Sequence, residues 1–77
     1  MSFEQWESEH MQELKEAAVK KHKSLGYVRG GMHYAYMNGC ESSEPFENLC
    51  PDLSGLDADN PIRKLGKEAF ELGHQNR

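Results

Sequence analysis

The amino-acid sequence predicts an all-α fold, a small three-helix domain that spans residues 1–77. Two observations support this class. Apolar side chains recur at steps of three and four residues near both ends of the chain, as they do on one face of an amphipathic helix. Residues that favour helix starts and helix ends border these segments. The predicted helices cover about residues 3–24, 27–38 and 61–73, and a long, irregular acidic connection covers residues 40–60.

The first predicted helix carries a single apolar stripe. Ser2, followed three positions later by Gln5, fits a capping box at its start. Acidic residues lie in its first turns and lysines in its last turns, as the helix dipole favours. The stripe consists of Phe3, Trp6, His10, Leu14, Ala17, Ala18 and Leu25.

Three glycines interrupt the pattern at the second predicted helix. Each glycine inside a helix costs about 1 kcal/mol relative to alanine. Two arrangements fit Gly26, Gly30 and Gly31. Either the first helix stops near Gly26 and a second runs from Tyr27 to Asn38, or one long helix bends through the glycines. We favour two helices with a turn or kink, and we expect close packing on Gly30 and Gly31.

The connection over residues 40–60 contains serines, prolines and a glycine that break regular structure. A structureless loop of this length is uncommon in a compact domain. We therefore expect its few apolar side chains to hold it against the helices; these are Phe46, Leu49, Leu53 and Leu56.

The last predicted helix has a clear start. Asp59 or Asn60 can cap it, Pro61 suits the first helical position, and Gly73 is a plausible end. Its apolar side is formed by Ile62, Leu65, Ala69, Phe70 and Leu72.

The size of the chain bears on function. Its 77 residues are 36% hydrophobic and 29% charged, which describes one small domain. A chain of this length buries only about 60% of its unfolded surface, so its core is thin. A large buried catalytic cleft does not fit, and we expect a non-enzymatic protein with no catalytic residues and no cofactor.

The net charge of −4 is unevenly distributed. Residues 1–39 carry five acids and five bases, whereas residues 41–59 carry six acids and no base. This distribution argues against direct nucleic-acid binding. The acidic stretch is either a solvated loop, the interpretation we favour, or a contact for a basic surface. In the second case the candidate contact residues are Glu41, Glu44 and Glu47.

The expected location is cytoplasmic, with no membrane partner. No apolar run approaches the roughly 20 residues of a membrane span, and the first residues do not resemble a signal peptide. Cys40 and Cys50 are too few to staple a secreted mini-protein, so we expect free thiols.

Sequence spacing does not indicate a metal site. A tetrahedral set from His33, Cys40, Cys50 and His74 is conceivable, but zinc signatures place paired ligands two to four residues apart. The acidic segment before Pro61 lacks the glycine and the final glutamate of a calcium loop. No phosphate-binding loop or activated nucleophile is apparent either.

Aromatic and methionine side chains are concentrated on the second predicted helix. They are too many for one helix face to bury, so some are expected to be exposed and to bind a partner. Packing between helices explains most of them equally well. The candidate binding residues are Tyr27, Arg29, Tyr34, Tyr36 and Met37, and we expect replacing Tyr34 or Tyr36 to abolish binding.

Residues 22–74 resemble ribosome modulation factor and its small relatives. The matching residues are His22, Gly26-Tyr27-Val28-Arg29-Gly30, Asn38-Gly39, Glu44-Pro45-Phe46, Leu65, Ala69 and Gly73. The resemblance implies a short helical protein that binds ribosomal RNA and ribosomal proteins and silences translation without catalysis. The sequence departs from that family in its acidic second half, its extra first helix, its longer connection and the missing tryptophan of the last helix.

Two functions follow as expectations. The first is a regulator related to ribosome modulation factor that docks on the ribosome or another macromolecular machine. The second is an acidic inhibitor or adaptor that binds a protein complex and occupies a nucleic-acid-binding surface, of the kind mobile elements often encode. Composition favours the second function, and the Gly-Tyr-x-x-Gly and Pro-Phe residues favour the first.

The spacing of cysteines and histidines predicts that folding needs no metal. Adding a chelator should leave the melting temperature unchanged, because a structural zinc ion contributes folding free energy directly. Thermal melts followed by circular dichroism, with and without chelator, measure this. A fall of more than a few degrees would contradict the prediction.

Overall fold

The computed structural model describes all 77 residues and consists of helices joined by short turns. The predicted all-α class is confirmed, but the chain forms six helices instead of three. No helix combines the length and the apolar character needed to cross a bilayer. The helices are α1 (Phe3–Glu9), α2 (Met11–Lys20), α3 (Leu25–Glu41), α4 (Phe46–Leu49), α5 (Pro51–Ser54) and α6 (Pro61–Gln75).

The first predicted helix is divided at His10 into α1 and α2. The Ser2 hydroxyl accepts a hydrogen bond from the Gln5 amide at 3.1 Å, as the capping signal predicts. His10 Nδ1 donates to the Trp6 carbonyl oxygen at 2.8 Å, and this oxygen also accepts the His10 amide at 3.0 Å. Side-chain bonding to a carbonyl of the preceding turn perturbs helix geometry. The predicted single helix over residues 3–24 is corrected accordingly.

Helix α2 ends in a Schellman motif before the first glycine. His22 takes a left-handed backbone conformation with φ 56°. The His22 amide donates to the Val19 carbonyl at 3.2 Å, and the Lys23 amide donates to the Ala18 carbonyl at 2.9 Å. Because the chain turns here, Ser24 caps α3 by accepting from the Tyr27 amide at 3.0 Å.

The glycine hinge predicted for the second helix is not confirmed. Helix α3 runs without interruption from Leu25 to Glu41 and is longer than the predicted 27–38. The close packing expected at Gly30 and Gly31 is also absent. A methyl group on Gly30 would meet no atom within 4 Å, and one on Gly31 would touch only a Leu53 methyl at 4.0 Å.

Close packing of α3 on α6 occurs instead at Gly39 and Gly73. A methyl group on Gly39 would overlap the Phe70 carbonyl oxygen, and one on Gly73 would overlap the Tyr36 carbonyl oxygen. The methyl group on Gly73 would also lie 2.9 Å from the Cys40 amide nitrogen. The two backbones are therefore in direct contact, which only glycine permits at these positions.

Helices α3 and α6 run in the same direction. Gly66 packs near Met32, since a methyl group there would lie 3.8 Å from the Met32 methyl carbon. Seven residues further along both helices, Gly39 meets Gly73. Ala35 and Ala69, between these contacts, are fully buried. A seven-residue spacing on both helices keeps the same face of each helix at the interface.

Helices α1 and α2 pack against this pair in the opposite direction. The Phe3 ring lies 5.0 Å from the Tyr36 ring, centroid to centroid, near the end of α3. Leu14 is fully buried, and His10 lies near Glu68 of α6 with 3.8 Å between Nε2 and Oε1. The core comprises Phe3, Trp6, Leu14, Ala17, Ala18, Val28, Met32, Ala35, Phe46, Cys50, Leu53, Ile62, Leu65, Ala69, Phe70 and Leu72.

The connection predicted as an irregular loop contains the short helices α4 and α5. The Phe46 ring packs on the Phe70 ring with centroids 5.5 Å apart. Leu53 is also buried, and Leu49 is partly buried against the core. Leu56 is exposed, so three of the four apolar residues expected to hold the connection do so.

The start of α6 is as predicted, and its end is not. The Asn60 side chain accepts a hydrogen bond from the Ile62 amide at 2.9 Å, and Pro61 is the first helical residue. The helix continues to Gln75. Gly73 does not end the helix, because its role is the contact with α3.

Replacing Gly39 or Gly73 with alanine should destabilise the domain by about 2 kcal/mol or more, since the added methyl group overlaps backbone atoms that cannot move independently. Gly30→Ala is the matched control. Its methyl group enters open space, and alanine should raise stability by up to about 1 kcal/mol. Denaturant unfolding followed by circular dichroism measures the free energy of unfolding of each variant. Equal stability of all three variants would contradict the direct α3–α6 contact.

Candidate functional site

A groove lies between α3 and the segment that leads to α6. It has a volume of ≈ 330 Å³. The α3 residues that line it are four and three positions apart, which places them on one flank of the helix. The lining residues are Tyr27, Gly31 and Tyr34 of α3, Asp52 and Leu53 of α5, and Ile62 of α6.

The Tyr34 ring is held in place although it is exposed. Its hydroxyl donates a hydrogen bond to the Leu49 carbonyl oxygen at 3.3 Å. The Asn38 side-chain amide donates to the same oxygen at 3.3 Å and contacts Cys50 Sγ at 3.7 Å. Leu49 ends α4, so these bonds join α3 to the crossover, which is the connection of residues 42–60 that contains α4 and α5. A side chain fixed before binding loses less entropy when a partner docks.

Tyr27 forms the other aromatic wall of the groove. It is the most exposed of the tyrosines, with 59% of its surface accessible. The Lys23 ammonium lies 5.1 Å from the centre of its ring, within the range of a cation–π contact. The ring therefore already carries a cation from its own chain, which shows that a positive charge can approach its face.

The acidic residues of the connection between α3 and α6 have no ion-pair partners. All six acids of residues 41–59 are exposed. The ion pairs of the structure join Arg29 to Glu7 and His10 to Glu68, so none of the six takes part in one. Asp52 belongs to the groove itself. The remaining acids are Glu41 at the end of α3, Glu44 in the loop, Glu47 on α4, and Asp57 and Asp59 before α6.

The five predicted binding residues do not share one face. Only Tyr27 and Tyr34 meet in the groove. Tyr36 is half-buried against Phe3, and its hydroxyl accepts a hydrogen bond from the Asn76 side chain at 3.4 Å. Met37 is exposed but does not line the groove.

Arg29 faces α1 and is held by Glu7. Its Nε and Nη2 atoms each donate to a Glu7 carboxylate oxygen at 3.1 Å. This hydrogen bonding, and then the Glu7 charge, raises the pKa of Arg29 above its ordinary value. A guanidinium held in this way is less available to an external phosphate.

The cysteines and histidines do not converge. No three His, Cys, Asp or Glu side chains form a group that could hold a metal ion. Cys40 and Cys50 are free thiols, and Cys50 is fully buried. Burial raises the pKa of Cys50, and the contact with Asn38 opposes this effect. His74 packs on Phe70, and its Nε2 is buried without a hydrogen-bond partner.

Sequence reasoning missed half of the groove. Asp52, Leu53 and Ile62 were not candidate binding residues, because they lie 18 or more positions after Tyr34 and meet it only through the fold. The spacing of Tyr27, Gly31 and Tyr34 along one helix flank was the available signal for the other half.

Comparison with models of protein families, with curated proteins and with solved structures finds no match to this chain.

The packing of the crossover on α3 predicts that the thiols of Cys40 and Cys50 react at different rates. In the native protein Cys50 should react with a thiol reagent at least about tenfold more slowly than Cys40, because Cys50 is buried and its raised pKa lowers the thiolate fraction. The variants Cys40→Ser and Cys50→Ser report each thiol separately, and reaction in denaturant gives the reference rate. Equal native rates would show that the crossover is not packed on α3.

Proposed function

We propose that this chain is a small, non-enzymatic binding protein that docks through the Tyr27–Tyr34 groove on a basic surface of a cytoplasmic protein partner. It acts as an adaptor or inhibitor that occupies that surface. The observation that carries the proposal is an exposed aromatic groove that includes Asp52, a residue of a connection whose six acids have no ion-pair partners.

Relative energies assign the main role to the tyrosines. Removing a large aromatic anchor from an interface costs about 2 kcal/mol or more, whereas an exposed ion pair contributes about 0 to 1 kcal/mol. The acids of residues 41–59 act mainly on the rate at which the two proteins meet. A patch of one sign accelerates association with a patch of the other sign, and salt weakens this acceleration.

The composition of the groove supports binding rather than catalysis. Its lining contains no cysteine, histidine or serine that could serve as a nucleophile or a base near neutral pH. Asp52 is its only ionisable carboxyl group, and it is exposed. These groups suit recognition of a cationic side chain.

Docking on the ribosome is the second candidate function. One observation favours it: Tyr27, in the Gly26-Tyr27-x-x-Gly30 segment that resembles ribosome modulation factor, is available to a partner. Arg29 of the same segment is bound to Glu7, which leaves few phosphate contacts. A salt titration of ribosome binding separates the candidates, since an RNA ligand loses affinity steeply with salt.

The proposal predicts that Tyr27→Ala and Tyr34→Ala each reduce partner capture at least about tenfold while helicity is retained, because each removes an anchor of the groove. Met37→Ala, an exposed change outside the groove, is the matched control. Tyr36→Ala is unsuitable, since Tyr36 packs on Phe3. Quantitative affinity capture from native lysate with the 77-residue chain measures the effect.

Neutralising Glu41, Glu44 and Glu47 together to glutamine should change mainly the association rate and its salt dependence. Capture that survives both groove tyrosine changes but is lost with this triple change would overturn the proposal. It would identify the acidic surface alone as the contact.

A further inference from the structure

We infer that the groove receives the guanidinium group of an arginine side chain from a basic segment of the partner protein. This inference rests on the proposed function and specifies its ligand. Asp52 supplies the counter-charge, and Tyr27 and Tyr34 supply aromatic surface on the same groove.

Charge complementarity sets the sign of the occupant. The lining of the groove contains one carboxylate and no lysine, arginine or histidine. Two bases lie beside this lining: Lys23 lies over the Tyr27 ring, and Arg63 Nε donates to the Ser54 carbonyl oxygen at 3.3 Å. Within the groove a phosphate or carboxylate ligand would meet repulsion from Asp52, whereas a cation would be attracted to it.

The chemistry of the walls favours arginine over lysine. A guanidinium is planar, weakly hydrated and able to stack on an aromatic ring while it donates two hydrogen bonds to a carboxylate. An ammonium ion is compact and strongly hydrated, so it loses more on entering an aromatic groove. The Lys23 ammonium, which is not part of the lining, lies 5.1 Å from the centre of the Tyr27 ring, so an arginine contacts Tyr27 beside this cation or in its place.

The size of the groove fits a single side chain with its adjoining backbone. Its ≈ 330 Å³ lies at the lower end of the roughly 300 to 1,000 Å³ of small-ligand pockets. The Tyr34 hydroxyl is already bonded to Leu49, so that wall is in position before a ligand enters.

The test titrates the 77-residue protein with a blocked Gly-Arg-Gly-Arg-Gly-Arg-Gly peptide at low salt and follows the amide chemical shifts of the protein by NMR. The matched probe replaces each arginine with citrulline, which keeps the shape and removes the charge. We expect shifts centred on Tyr27, Gly31 and Asp52, and at least about tenfold weaker binding of the citrulline peptide.

Two protein variants separate the groove from general acidity. Asp52→Asn removes the charge at the groove, and Asp57→Asn removes an equal charge from the same acidic stretch outside it. The first should weaken arginine-peptide binding about tenfold and the second about twofold or less. Circular dichroism of both variants confirms that each remains folded.

Equal weakening by the two variants would overturn the inference, because it would show that peptide binding depends only on the overall charge of the protein. Equal binding of both peptides, or shifts outside the groove, would overturn it as well. Groove shifts that depend on protein concentration without peptide would identify a second copy of the chain as the occupant instead. If the tyrosine variants lose partner capture but the arginine peptide does not bind, the inference fails and the proposed function stands.

Discussion

The direct contact between the backbones of α3 and α6 is the constraint on which the rest of the structure depends. Gly39 and Gly73 allow this contact, and Ala35 and Ala69 extend it along both helices. Small residues bring the helix axes together at this end of the pair, whereas Met32 packs against Gly66 nearer the start of both helices. α1 and α2 then cover one side of the pair, with Phe3 and Leu14 buried against it.

The groove is a consequence of the parallel direction of these two helices. The chain leaves the end of α3 and must return to the other end of the pair before α6 begins. α4 and α5 make this return, and Phe46 and Leu53 anchor it to the core. The same path brings Asp52 into one groove with Tyr27 and Tyr34. The candidate site is thus built by the connection that the fold requires, rather than by a separate element.

Local features were predictable from sequence, and relations between distant segments were not. Ser2 and the Asn60-Pro61 pair act within one helical turn, so these helix starts could be predicted directly from the sequence. Glycine identity, in contrast, does not reveal which glycine is packed: Gly30 is open and Gly39 is in contact, although both lie inside one helix. The aromatic half of the groove followed from spacing on α3. The half from α5 and α6 depends on the direction of α6, which no local pattern encodes.

The parallel pair also bears on the order of folding. Residues of α2 and α3 that meet across the turn at His22 are close in sequence, so they can associate early at little entropic cost. The contact between residues 39 and 73 closes a loop of about 34 residues, and such long-range closure is slow relative to local pairing. Phe46 joins the crossover to Phe70 of α6, so this part of its packing forms only when α6 has reached α3. The groove is therefore expected to be completed in the last step of folding and to be the first part lost when the pair separates.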